Sequence, residues 1–168
     1  MDSVVCGIDP GLGTTGYAVV KGAGVAFELL DAGVCRFPPK DPLPDRLNAL
    51  FHDVSEILRE FRPVLVAVES LYSHYRHPQT AILMGHARGV VLLSAAQCGA
   101  VVESYAATRV KRLLTGKGRA SKEQVQRAVQ TTLGLAEPPE PHDVADAVAI
   151  ALCGLDDLHA RQTTGSMS

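Results

Sequence analysis

Four acidic residues stand at the ends of apolar segments. Asp9 closes the run Ser3 to Ile8, Glu69 closes the run Val64 to Val68, and Asp143 and Asp146 open an apolar stretch reaching to about Leu158. A rigid scaffold delivers side chains into a shared cleft from such positions. On a helix, the i, i+3 spacing of Asp143 and Asp146 puts both carboxylates on one face, with Val144, Ala147, Val148 and Ala151 as the adjoining packing surface. Singly, the acids have ordinary uses: Asp9 in Asp-Pro-Gly suits a turn, and Asp143 suits the first turn of a helix. Glu69 is harder to place, because it continues a strand that reads as buried on both faces. Together they repel, by about 4 kcal/mol per pair at ~4 Å and an effective dielectric near 20. A cation removes that repulsion. Oxygen donors without cysteine select a hard ion, magnesium with manganese as a substitute. Two such ions about 3.5–4 Å apart can clamp a phosphodiester between an attacking water and a leaving oxygen.

The charge distribution points the same way. The net charge of −2 conceals seven basic residues between Arg109 and Arg127, namely Arg109, Lys111, Arg112, Lys117, Arg119, Lys122 and Arg127, against the single acid Glu123. That segment is +6 and the rest of the chain −8. Such segregation marks a candidate polyanion contact, although a basic run is also the ordinary composition of a solvated helix face. With the four carboxylates, it points to phosphodiester hydrolysis in nucleic acid.

These residues need elements to hold them. Ser3 to Ile8 and Thr14 to Val20 are predicted strands joined by a glycine-rich turn, and Phe27 to Phe37 is a third. From Leu43, apolar residues recur at helical spacing through Leu47, Leu50, Val54, Leu58 and Phe61, until Pro63 stops the pattern. Val64 to Val68 is a predicted buried strand, Ser70 to Pro78 a polar loop, Gln79 to Gln97 a long helix and Ala100 to Ser104 another strand. Ser121 with Gln124 forms a capping box for a helix to Leu133, a proline-rich linker follows from Gly134 to Pro141, and the last helix spans Asp143 to about Leu158. The pattern predicts an α/β domain over residues 1–158, a mixed sheet flanked by helices, with 159–168 as a disordered tail.

Gly11-Leu12-Gly13-Thr14-Thr15-Gly16 matches the dinucleotide-binding pattern, but its last glycine must open a helix, and Thr14 to Val20 is strand-like. The N-terminus MDSVVCGIDP lacks the features of a secretion signal. The most apolar stretch, Ile82 to Ala96, is broken by His86 and Arg88 and is too short to span a bilayer. Cys6, Cys35, Cys98 and Cys153 are scattered singly, which fits free thiols better than a zinc site or a disulfide framework. A cytoplasmic protein is the expectation.

Several segments carry a wider resemblance: GIDPGLGTTGYAVV, VAVESLYS, HARGVVLLSA, SYAATRVKRLLTGKGRASKEQVQ and DVADAVAIALC. In this order they resemble the RuvC family of Holliday junction resolvases, from Val4 to about Leu155. The resemblance implies a ribonuclease H-like fold, a homodimer, and paired magnesium-dependent incision of opposing strands at a four-way DNA junction, with RuvA and RuvB as branch-migration partners. It assigns Asp9, Glu69 and Asp146 as metal-binding acids, with Asp143 as the fourth. Relatives differ over whether Asp or His fills that fourth corner, and His142 lies immediately before Asp143; the D-x-x-D-A register selects Asp143. Lys111 and Lys122 match basic residues near the scissile phosphate. Tyr72 falls where the family carries an aromatic side chain, usually phenylalanine, against unstacked bases. The other basic residues, Arg109, Arg112, Lys117 and Arg119, are then expected along the DNA backbone. For the dimer, Gln79 to Gln97 offers Ala81, Gly85 and Gly89 as a small-residue stripe beside Ile82, Val90 and Leu93.

Two rival readings stand beside this one. The loop from Asp9 to Gly16 also resembles the phosphate loop of actin-like ATPases and sugar kinases, which close two such domains around ATP. The basic segment alone would suit a non-catalytic junction-binding protein.

Overall fold

In the computed structural model, residues 2–23, 26–71 and 78–165 are described. Strands β1 (Ser3–Asp9), β2 (Thr14–Ala23) and β3 (Ala26–Arg36) come first, followed by helix α1 (Leu43–Phe61), β4 (Leu65–Glu69), α2 (Pro78–Gln97) and β5 (Val101–Tyr105). Helices α3 (Ala107–Thr115), α4 (Lys122–Leu133) and α5 (His142–Gly165) complete the chain. The strands form one mixed sheet in the order β3-β2-β1-β4-β5. β1, β2 and β3 are antiparallel neighbours, and β4 runs parallel to both β1 and β5.

Period-two alternation along the central strands sends side chains into two cores. Val5, Leu65 and Ala67 face α5, α3 and α4, where Val110, Val125, Val148 and Leu155 are buried with them. Cys6, Ile8, Val66 and Val68 face the other way, against Leu50, Val54 and Leu58 of α1 and Ala87, Val91 and Ala95 of α2. Both faces are covered, which is why β1 and β4 read as continuous apolar runs.

Two glycines let α5 settle against the sheet. A Cβ on Gly7 would lie 2.1 Å from the carbonyl oxygen of Ala147, and one on Gly16 would lie 2.2 Å from that of Asp143. Gly16 belongs to β2 and pairs with Asp9, so no helix opens there, and the loop has the hairpin geometry expected of it rather than that of a dinucleotide-binding turn. Thr15 closes the turn, its Oγ1 donating to the Gly11 carbonyl at 2.6 Å.

Both halves of the predicted capping box form at α4: Gln124 N donates to Ser121 Oγ at 3.2 Å, and Ser121 N donates to Gln124 Oε1 at 2.8 Å. Two elements depart from expectation. Helix α3 occupies a stretch the sequence left without structure, because its basic residues leave only Val110 fully buried on the inward side. The last helix does not end near Leu158 in a disordered tail. It continues to Gly165, since Arg161 makes a bidentate pair with Glu103 at 2.6 and 2.9 Å, and Thr163 and Thr164 return their hydroxyls to helix carbonyls. Cys6, Cys35, Cys98 and Cys153 are free thiols. Among the described residues, no helix is long and apolar enough to cross a membrane.

Candidate active site

Asp9 and Glu69 stand at the carboxyl ends of adjacent parallel strands, one step beyond the pair Ile8 and Val68. Carboxyl ends of parallel strands are where open α/β sheets place their sites. Asp146 reaches the same place from α5, which the two glycines hold close to β1 and β2. These three acids, with Lys111 of α3 and Lys122 at the start of α4, line a cavity of about 250 Å³ whose apolar wall includes Val110, Val125 and Ile150. Asp143 lies beside the cavity rather than in its lining, with its main chain against Gly16. The Nδ1 atom of His142 is buried without a hydrogen-bond partner among the described residues.

The carboxyls are electrostatically crowded. Burial pushes Asp9 from its ordinary 3.8 up to about 8, with the charges of Glu69, Asp146 and Asp143 and a hydrogen bond to Glu69 adding to the rise. Glu69 is raised by burial and then by Asp146, against the lowering effect of its hydrogen bond with Asp9 and of Lys111 and Lys122. Asp146 is raised chiefly by burial, while Lys122 holds it down and Asp143 pushes it up. A proton shared between Asp9 and Glu69 would relieve the cluster in the absence of a cation. The donor set suits a hard divalent cation: all oxygen, mutually repelling, with three acids in one pocket. Among the described residues no three ligating side chains already converge on one point, and binding such an ion would require these carboxyls to be ionised.

This fixes the sign of a pH dependence. A carboxyl whose folded pKa lies above its unfolded value contributes stability that is complete below the unfolded value and lost as pH rises through the folded one. In chelator, the protein is therefore expected to lose stability steadily from about pH 4 to beyond pH 8. Asp9→Asn should flatten that slope and raise the melting temperature at pH 8. Thermal melts in chelator across this range measure both; parallel curves for the two proteins would mean that Asp9 is not held protonated.

The comparisons with known proteins agree with this geometry. The model of the family described as "Crossover junction endodeoxyribonuclease RuvC" matches residues 5–154. A RuvC from Rhodopirellula baltica is 53% identical over 152 residues, covering 90% of this chain and 85% of the relative. One from Desulfitobacterium hafniense is 45% identical over 150 residues, covering 89% and 90%. The chain belongs to the RuvC family. A solved structure described as T. thermophilus RuvC in complex with Holliday junction substrate superposes with a TM-score of 0.89 at 39% identity, covering 94% of this chain and 96% of that one. The mixed five-stranded sheet is thus the ribonuclease H-like fold of RuvC, a family of metal-dependent nucleases.

Against the RuvC expectations for single residues, the structure brings Asp9, Glu69, Asp146, Lys111 and Lys122 together. Arg112, Lys117 and Arg119 are exposed on α3 and the connection to α4. Arg109 makes contacts within the chain while its side chain stays 53% exposed. Its guanidinium is paired with Asp157 and lies over the Tyr105 ring at 5.3 Å, so it ties α3 to α5 and β5. Tyr72 lies outside the described residues. Sequence reasoning gave no role to Arg88 in the HARGV segment, whose Nε donates to the Glu69 carbonyl at 3.4 Å.

Proposed function

We propose that the protein resolves four-way DNA junctions by hydrolysing phosphodiesters in opposing strands, in the cytoplasm, as a magnesium-dependent homodimer. The observation that carries this reading is that Asp9, Glu69 and Asp146 line the same pocket as Lys111 and Lys122. A scissile phosphate there would meet both metal-binding acids and two ammonium groups. Two magnesium ions, or manganese in their place, would be held by Asp9, Glu69 and Asp146 with Asp143 as the fourth acid, and would supply an activated water and charge stabilisation at the leaving oxygen. Lys111 and Lys122 stabilise negative charge developing on the phosphate. Arg112, Lys117 and Arg119 extend a positive surface from the pocket for the DNA backbone, and Tyr72 would stack on an unpaired base at the crossover. The four free thiols support a reducing compartment. RuvA and RuvB are the branch-migration partners that family membership implies.

The homodimer is supported by α2. Its inward face buries Ala87, Val91, Ser94 and Ala95, while Ile82 and Leu93 are 60% and 52% exposed. Among the described residues, a Cβ added at Gly85 or Gly89 would meet nothing within 4 Å, which leaves this face room for a close helix approach. One expected member of the stripe is replaced: Val90 packs on the second core, and Leu83 stands outward instead.

The test is incubation of the purified protein with a mobile four-way junction labelled in turn on each strand, with and without magnesium. Symmetrical nicks in opposing strands, sealable by ligase and absent in chelator, are expected. Binding without cleavage across several junction sequences would leave only a junction-binding protein.

A further inference from the structure

Arg88 reaches from α2 to the carboxyl ends of two neighbouring strands. Its Nε donates to the main-chain oxygen of Glu69 at 3.4 Å, and its Nη2 donates to Ser104 Oγ. Val68 faces Ser104 in the β4–β5 register, so the guanidinium spans the point where both strands end. This is also where the regular sheet gives out. Pairing between β1 and β4 stops at Ile8 and Val68, and Pro10, just beyond Asp9, has no N–H with which to extend it. Past Glu69, Ser70 N still donates to Tyr105 O at 2.8 Å. Among the described residues Arg88 pairs with no carboxylate, although it is half-buried. A partly desolvated guanidinium whose partners among the described residues are a carbonyl and a hydroxyl is an expensive way to pack a helix, whereas an apolar side chain would do so without loss.

We propose that Arg88 is a positioning residue for metal binding: by fixing the main chain of Glu69, it sets where that carboxylate stands relative to Asp9 and Asp146. This rests on the junction-cleaving reading of the pocket. Arg88 touches the backbone of a ligand rather than the ligand's charge, so its loss should weaken metal capture and leave DNA binding alone. Groups that orient metal ligands in this way typically alter metal affinity or activity by roughly 10- to 100-fold.

The experiment compares wild type with Arg88→Met, Arg88→Lys and Ser104→Ala in three measurements: the magnesium concentration giving half the maximal single-turnover cleavage rate, the rise in melting temperature on adding magnesium, and junction affinity in chelator. Arg88→Met is expected to need roughly tenfold more magnesium and to show a smaller magnesium-induced rise, with junction affinity unchanged. Arg88→Lys should resemble it, since an ammonium lacks the planar fork that spans both acceptors. Ser104→Ala, at an exposed position, should shift both magnesium readouts in the same direction by less. Unchanged magnesium readouts in all three variants would overturn the proposal. So would a fall in junction affinity parallel to the rate, which would make Arg88 a DNA contact. If Arg88→Met does not fold, Arg88→Lys and Ser104→Ala decide the matter. A wild type that fails to cleave would strike the junction reading, while the melting comparison would still decide the role of Arg88.

Discussion

Asp9→Asn, Glu69→Gln and Asp146→Asn are each expected to lower single-turnover junction cleavage on the order of 10³-fold, while junction affinity in chelator stays the same or improves. Each substitution removes an anionic oxygen from the one pocket that also holds Lys111 and Lys122. Metal ions in such a site supply several kcal/mol of transition-state stabilisation, and each 1.36 kcal/mol is a factor of ten in rate. Affinity moves the other way because a carboxylate near a phosphate repels it. Near-normal cleavage by the Asp9 or Glu69 variant would remove the constellation. Asp143 is a separate case, because it stands beside the pocket and acts on Asp9 and Asp146 through its charge. Asp143→Asn is expected to retain more activity than the other three. If it is fully active while His142→Ala is inactive, the buried Nδ1 of His142 belongs to the fourth corner instead.

The acids were legible because a buried strand ending in a carboxylate breaks its own pattern. Nothing about Val64 to Val68 calls for Glu69, and nothing about the sheet calls for Asp9 beyond its turn. The capping box at Ser121 was legible for the opposite reason: its chemistry is local, and four residues carry it whole. What stayed hidden depends on contacts distant in sequence. Arg109 counts as one more cation in a basic run until Asp157, from a helix 48 residues later, occupies its guanidinium. The extension of α5 to Gly165 depends on Glu103, an acid on a strand that the sequence treats only as apolar filling. Gly7 sits within a strand pattern, where glycine usually weakens pairing, and only the approach of Ala147 explains it. Arg88 lies within a segment that carries the resemblance, yet its acceptors are a main-chain oxygen and a hydroxyl, which leave no charge pattern to read.

A mixed dimer of one wild-type and one Asp9→Asn subunit is expected to bind four-way junctions normally and to make a single nick, so that resolution falls to near the level of the doubly substituted dimer. The pocket is small, about 250 Å³, and its ligands come from β1, β4 and α5 of one chain. One chain thus supplies three acids and both lysines, so one intact subunit should cut one strand. Opposing strands of a junction present phosphates related by twofold symmetry, and a twofold dimer carries two pockets in that same relation. The outward apolar face of α2 would give such a dimer its contact, with Ile82 and Leu93 as area and Gly85 and Gly89 as close approach. A single pocket could serve both strands only by releasing the junction and rebinding it in the other orientation. Excess protein under single-turnover conditions, with the two subunits linked to prevent exchange, separates these cases. First-strand nicking at about half the wild-type rate with little second-strand product is the expected result, the factor of about two reflecting one productive orientation of two. Efficient double incision by the linked mixed dimer would show that the two cuts do not need two sites.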